Sequence, residues 1–150
     1  MKKIASILRL EFLPTSVDLG LLFLRLWLGA SLLILHGWGK LIDYKKLSSG
    51  FPDPLKIGHQ PSLTLALVGE VLCSILLILG LFTRFAALGS AITMTVAFFL
   101  VHQMALKGPR SGELAFIYLA GFVTIILAGP GRFALDGKTS APKKPRPPKE

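Results

Sequence analysis

Six side chains that can carry a charge or a proton lie within or at the ends of long apolar stretches of this 150-residue chain. A charge in hydrocarbon costs about 2.5–3.5 kcal/mol on insertion scales, so each group needs a partner or a function. Imidazoles and carboxylates also take up and release protons, which suits them to acid–base chemistry. The candidate site residues are Arg25, His36, Lys40, Glu70, His102 and Glu113.

The spacing of the basic residues in the first apolar stretch predicts one helix face. Arg25 and His36 are eleven positions apart, which is close to three helical turns. His36 and Lys40 are four positions apart and are therefore neighbours on a helix surface. Glu70 lies inside the next apolar stretch.

The apolar stretches have the length of membrane spans. A spanning helix needs about 20 predominantly apolar residues, and four segments are predicted to be spans: 20–41, 63–82, 85–106 and the shorter 113–128. The chain is 52% hydrophobic and only 17% charged, against about 25% charged in soluble domains. The predicted fold class is all-α, a polytopic membrane protein with an antiparallel bundle of four transmembrane helices.

The basic residues predict the orientation. The net charge is +9, and the predicted terminal side carries ten Lys and Arg against five on the other side. The positive-inside rule then puts both termini in the cytoplasm and explains the charge without nucleic acid. The predicted segments are an interfacial N-terminal segment without a cleaved signal (1–19), a membrane domain (20–136) and a disordered basic, Pro-rich tail (137–150).

In this topology, the predicted site residues divide between the two ends of the bundle. All but Arg25 fall in the outer half, where they could form one polar site. A purely structural hydrogen bond between His36 and Glu70 is the alternative. Arg25 and Arg84 lie at the inner end, where Arg84 is interpreted as a topology anchor and either Asp136 or a lipid phosphate could be the partner of Arg25.

Several kinds of chemistry have no motif here. The single cysteine, Cys73, excludes an intramolecular disulfide and a cysteine zinc site, and is interpreted as a packing residue. Phosphate loops, metalloprotease motifs and a serine nucleophile elbow are absent from the sequence. The two histidines within the spans, His36 and His102, are too few to propose a haem.

The chain resembles the DoxX family of small four-helix membrane proteins. The resemblance rests on RLWLGASLLILHGWGKL (25–41), LVGEVLCSILLILGLFTRFAALG (67–89), the histidine at 102, GELAFIYLAG (112–121) and GPGRFALD (129–136). It implies a bacterial or archaeal cytoplasmic-membrane protein associated with quinone-linked redox complexes, such as thiosulfate:quinone oxidoreductase and terminal quinol oxidase subunits. The motif residues carried over are Arg25, His36, Gly37, Lys40, Glu70, Arg84, His102 and Glu113.

Two functions follow from this resemblance and the buried charges. The first is a subunit or membrane partner of a quinone-linked oxidoreductase, with redox-complex subunits or a second copy as protein partners. In that function quinone is the cofactor, His36, Glu70 and His102 are the catalytic candidates, and Arg25, Lys40 and Glu113 are the binding candidates. The second is a non-catalytic membrane scaffold or a small-molecule transporter, in which the buried charges fix helix packing.

Overall fold

The computed structural model describes residues 7, 8, 10 and 16–136, and the regular secondary structure within them is helical, with no strand. The helices from residue 16 onward are α1 (Val17–Ile42), the single-turn α2 (Tyr44–Leu47), α3 (His59–Leu79), α4 (Thr83–Val101) and α5 (Glu113–Ala128). Of the predicted N-terminal segment 1–19, residues 1–6, 9 and 11–15 lie outside the described residues, and residues 17–19 belong to α1. The predicted tail 137–150 lies entirely outside the described residues.

Three of the four predicted spans are helices long and apolar enough to cross a membrane: α1, α3 and α4. The fourth, α5, matches its predicted bounds but has only 16 residues. At 1.5 Å per residue it is about 24 Å long, less than the roughly 30 Å of a hydrocarbon core.

Left-handed backbone positions end two helices earlier than predicted. Helix α3 ends at Leu79 because Gly80 adopts φ 71°, and α4 follows after a turn through Phe82 at φ 45°. The third span was predicted to reach residue 106, and this is wrong: α4 ends at Val101, and Gln103 and Met104 have φ of 50° and 60°.

Each of the three long helices contains one turn of π-helix. These turns are Leu33–Gly37 in α1, Val68–Leu72 in α3 and Ala97–Val101 at the end of α4. A π turn inserts a residue into the α-helical repeat, rotates the following side chains around the axis, and is frequent at functional sites. The sequence periodicity gave no sign of these turns.

The helices pack around a core in which α4 contacts α5 and α3, and α1 contacts α3 and α5. Leu32, Leu77, Phe122 and Ile125 are buried there. The small residues Ala86, Ala87, Ser90 and Ala91 of α4 are buried, which permits close packing of the helices. Many large apolar side chains, including Phe23, Trp27, Phe85 and Leu127, are exposed, as suits helices surrounded by lipid.

Candidate functional site

A cavity of about 590 Å³ opens at the level of the π turns. Four of the predicted site residues line it, and Tyr118 of α5 joins them. Between these polar groups the wall is largely apolar, with residues such as Leu32, Leu65, Ile92 and Met94. The site residues on the wall are His36, Lys40, Glu70 and His102.

The π turns account for the position of these side chains. His36 belongs to the π turn of α1 and Glu70 to that of α3. The π turn of α4 contributes Ala97 and Val101 to the wall and ends directly before His102. Helices α1, α3 and α4 therefore each contribute a π turn to the wall of the same cavity.

Lys40 and Glu70 form an ion pair across α1 and α3. The ammonium of Lys40 lies 2.5 Å from each carboxylate oxygen of Glu70. The Glu70 side chain is only 7% exposed and that of Lys40 is 26% exposed. The aromatic ring of Phe51 lies 6.0 Å from the same ammonium. Glu70 is therefore hydrogen-bonded to Lys40, a member of the predicted shared polar site, whereas the structural alternative had named His36 as its partner.

His36 is held by an aromatic contact. Its ring meets the ring of Tyr118 edge-on, with 5.8 Å between centroids. The Tyr118 hydroxyl donates to Ser31 Oγ at 2.9 Å, and Ser31 Oγ donates to the carbonyl of Trp27 at 2.6 Å. Among the described residues the His36 side chain has no hydrogen-bond partner, so its ring nitrogens are free to bind a ligand.

His102 is tied to the loop that follows α4. Its Nδ1 lies 2.9 Å from the carbonyl oxygen of Arg110, and the residue lines the cavity. Gly112 packs closely beside it, since a Cβ at Gly112 would lie 2.7 Å from the Cβ of His102. This contact positions the histidine on the wall.

The loop between α2 and α3 covers part of the cavity and is organised by Asp53. Phe51, Pro52, Pro54 and Leu55 all line the cavity. The Asp53 carboxylate accepts hydrogen bonds from Ser62 Oγ at 2.7 Å and from the amides of Gly58 and Ile57 at 2.8 and 3.0 Å.

These bonds have an electrostatic consequence. The hydrogen bond from Ser62, helped by those from the loop amides, holds the pKa of Asp53 below its usual value. A further bond joins His59 Nδ1 to the carbonyl of Phe51 at 2.6 Å. The prolines at 52, 54 and 61 predict a loop here, but its position on the cavity wall could not be predicted from them.

Arg25 lies away from the cavity. It is 1% exposed and donates from Nη1 to the carbonyl of Leu77 at 3.0 Å. The Asp136 carboxylate attracts its charge, which supports Asp136 over a lipid phosphate as its partner.

Asp136 also joins the C-terminal segment to the hairpin between α3 and α4. Its carboxylate accepts the amides of Thr83 at 2.6 Å and Phe82 at 3.0 Å, and its own amide donates to the Gly80 carbonyl at 3.0 Å. Burial raises the pKa of Asp136, but the bonds from Thr83 and Phe82 outweigh it, so the net pKa lies below its usual value.

The remaining predicted residues also lie outside the cavity wall. Glu113 is exposed at the start of α5 and does not line the cavity. Arg84 is exposed next to the hairpin, as suits an anchor, and Cys73 is buried in the core. No group of three or more His, Cys, Asp or Glu able to hold a metal ion occurs in the part of the chain that the structure describes.

Comparisons with known proteins agree on the family. The DoxX family model matches residues 20–103, more than half of the chain. A protein of Haemophilus influenzae described as uncharacterized is 39% identical over 124 residues, covering 79% of this chain and 89% of the relative. No solved structure matches. The matched residues include most of α1 and all of α3 and α4, whose side chains line the cavity and form the Lys40–Glu70 pair. The chain belongs to the DoxX family.

Proposed function

We propose that this chain is a membrane subunit of a quinone-linked oxidoreductase complex and that its cavity binds the quinone head group. The observation that carries the proposal is the composition of the cavity. Its volume lies within the 300–1,000 Å³ of small-molecule sites, its wall is mostly apolar, and a few polar groups converge on it. A quinone head group has the matching properties, a flat apolar ring with two carbonyl oxygens.

Each polar group has a role in this proposal. Lys40 supplies hydrogen-bond donors for a carbonyl oxygen, and its contact with Glu70 holds it in place. His36, Glu70 and His102 can exchange protons with a bound ring, since imidazoles and carboxylates titrate. Arg25 and Glu113 have no part in binding, because both lie outside the cavity wall. The electrons come from another subunit of the complex.

The proposed membrane arrangement has four antiparallel transmembrane helices. It is supported by the tight turn between α3 and α4, by the packing of α5 against α4, and by the many exposed apolar side chains. With both termini in the cytoplasm of a bacterium or archaeon, the cavity lies in the outer half of the cytoplasmic membrane. The helix α5 then spans a locally thinned bilayer or extends through its flanking residues.

The orientation is tested with an impermeant thiol reagent on intact cells. A cysteine at Ser49, in the loop after α2, should label, whereas a cysteine at Ser140 should label only after the membrane is opened. The opposite pattern would invert the topology. Cys73 is buried and should remain unlabelled in the parent protein.

Ligand binding is tested with ubiquinone-1, a short-chain quinone, by equilibrium dialysis against the purified protein in mild detergent. The Ala97→Phe variant fills the cavity wall and should abolish binding. The matched control is Ala120→Phe, which places the same ring on an exposed position of α5 outside the wall. Equal binding by the two variants, or none by the parent, would overturn the quinone site.

The non-catalytic scaffold is the second candidate, and one observation favours it. Lys40 and Glu70 satisfy one another without any ligand, as charges that only fix packing would. A parent protein that folds stably and binds no quinone would support this function. Substrate flux in proteoliposomes would instead indicate a transporter.

A further inference from the structure

The protonation of His102 follows from its hydrogen bond. Its Nδ1 lies 2.9 Å from the carbonyl oxygen of Arg110. A carbonyl oxygen can only accept, so Nδ1 must carry the proton. In the neutral ring Nε2 then has a lone pair and no hydrogen, and can only accept. The loop after α4 thus selects one tautomer of a histidine that lines the cavity.

This tautomer distinguishes between the two redox forms of a quinone. The carbonyl oxygen of a quinone is an acceptor and cannot bond to an accepting Nε2. The hydroxyl of the reduced form is a donor and can. A ligand that forms a hydrogen bond to this lone pair gains affinity relative to one that cannot.

The other polar groups do not reverse this preference. Lys40 presents donors, but two of its contacts are taken by the oxygens of Glu70. A hydroxyl oxygen can still accept from Lys40, since it is both donor and acceptor. His36 has no hydrogen-bond partner within the described residues and can serve either form. His102 is thus the residue of the cavity wall whose hydrogen bond, to the Arg110 carbonyl, fixes its Nε2 as an acceptor.

We infer that the cavity binds the reduced, hydroxyl-bearing form of its ring ligand more tightly than the oxidised form, with His102 Nε2 accepting the hydroxyl proton. This inference rests on the proposed quinone site and names the form of ligand that the site prefers. His102 is the specificity-determining residue, and the Arg110 carbonyl is the group that sets its tautomer.

The test compares the affinities of the unmodified protein for ubiquinol-1 and ubiquinone-1, measured by equilibrium dialysis under argon at neutral pH. One neutral hydrogen bond is worth about 1 kcal/mol, so the reduced form should bind about fivefold more tightly. The O-methylated ubiquinol, which has no hydroxyl donor, should bind no better than the quinone. Equal affinities for all three would overturn the inference while leaving the quinone site standing, and no binding of any would overturn the site itself.

Two variants test whether His102 causes the preference for the reduced form. His102→Phe should remove it and bring the affinity ratio close to one. The control is Lys107→Phe, which introduces the same ring at an exposed position of the loop after α4, outside the cavity wall; its ratio should stay at the parent value. A ratio unchanged in His102→Phe would contradict the assignment. Should that variant fail to fold, the ¹⁵N chemical shifts of His102 in the parent decide: a protonated Nε2 with a bare Nδ1 would refute the tautomer.

Discussion

The ammonium of Lys40 lies 2.5 Å from both carboxylate oxygens of Glu70 and joins α1 to α3 at the wall of the cavity. The two side chains differ in exposure, since that of Glu70 is 7% exposed and that of Lys40 is 26% exposed. Removing only the Lys40 ammonium should therefore lower the free energy of unfolding by more than removing both charged groups does.

The single variant Lys40→Met should leave the Glu70 carboxylate buried and unpaired. Loss of a fully buried partner costs about 3–5 kcal/mol, whereas a surface pair is worth less than about 1 kcal/mol. Since Lys40 is partly exposed, we expect the free energy of unfolding to fall by about 2 kcal/mol. The double variant Lys40→Met, Glu70→Leu should regain most of this. Denaturant unfolding in detergent provides the measurement, and simple additivity of the two changes would argue against a coupled pair.

Two neighbouring glycines of α1 should respond in opposite ways to alanine. A Cβ at Gly37 would lie 2.9 Å from the Glu70 carbonyl oxygen and 2.7 Å from Val71, so Gly37→Ala must push α1 away from α3. Overpacking of this kind costs about 1–3 kcal/mol. Gly39 has nothing within 4 Å of such a Cβ, and Gly39→Ala should stabilise the helix by up to about 1 kcal/mol. Melting temperatures of the two proteins test this, and a destabilised Gly39→Ala with a stable Gly37→Ala would contradict the close contact.

The sequence was sufficient to predict the helices but only part of the site. Apolar length alone located three spans and the shorter α5, because burial in lipid requires long apolar helices. The order and direction of the predicted spans also placed His36, Lys40, Glu70 and His102 at a similar depth in the outer half of the bundle. Whether Lys40 or His36 pairs with Glu70 was left open, since the π turns of α1 and α3 rotate side chains away from the regular 3.6-residue repeat.

Arg25 and Glu113 show a second limit of sequence reasoning. Arg25 was named as a binding candidate although its predicted position was at the inner end, about 16 Å along the axis from His36, and it lies outside the cavity wall. Glu113 was grouped with the cavity by depth alone, and its side chain is exposed outside the wall. The loop bonds of Asp53 and the contact between Tyr118 and His36 depend on tertiary packing that no local pattern encodes.

Acidification should loosen the loop that covers the cavity. The pKa of Asp53 in the folded protein lies below its ordinary value of 3.8, so the bonds of this carboxylate stabilise the loop fully above that value and are lost as the pH falls through the lowered pKa. In a protein with Cys73→Ala, a nitroxide spin label attached at neutral pH to a cysteine at Leu55 should be immobilised at pH 5 and more mobile near pH 3. Adding Asp53→Asn should make the label mobile at both pH values. A mobility in the Asp53→Asn protein that still rose steeply with acid would assign the effect to another group.

Tyr118 should control the orientation of His36 through its hydroxyl. Tyr118→Phe keeps the ring contact but loses the hydrogen bond to Ser31, which fixes the phenol ring. We expect a small loss of stability, about 1 kcal/mol, and a weaker affinity for ubiquinone-1. Ser31→Ala removes the acceptor and should reproduce the effect, while Thr124→Val on the exposed side of α5 should not. Unchanged affinity in both Tyr118→Phe and Ser31→Ala would show that the hydroxyl has no positioning role.

The final prediction separates the chemistry of Glu70 from its structural role. Glu70→Gln keeps the shape and can still accept from Lys40, but an amide cannot titrate. If Glu70 passes a proton to the bound ring, quinone reduction by membranes containing the complex should fall by about 10²-fold, the usual contribution of a general acid or base. Arg84→Gln changes a charge next to the hairpin between α3 and α4 and should leave the rate near that of the parent. Both rates are normalised to the amount of inserted protein, so that a loss of folding is not counted as a loss of chemistry. Parent-level activity in Glu70→Gln would remove the proton-relay role and favour the scaffold, because the ion pair would then serve only to hold α1 against α3.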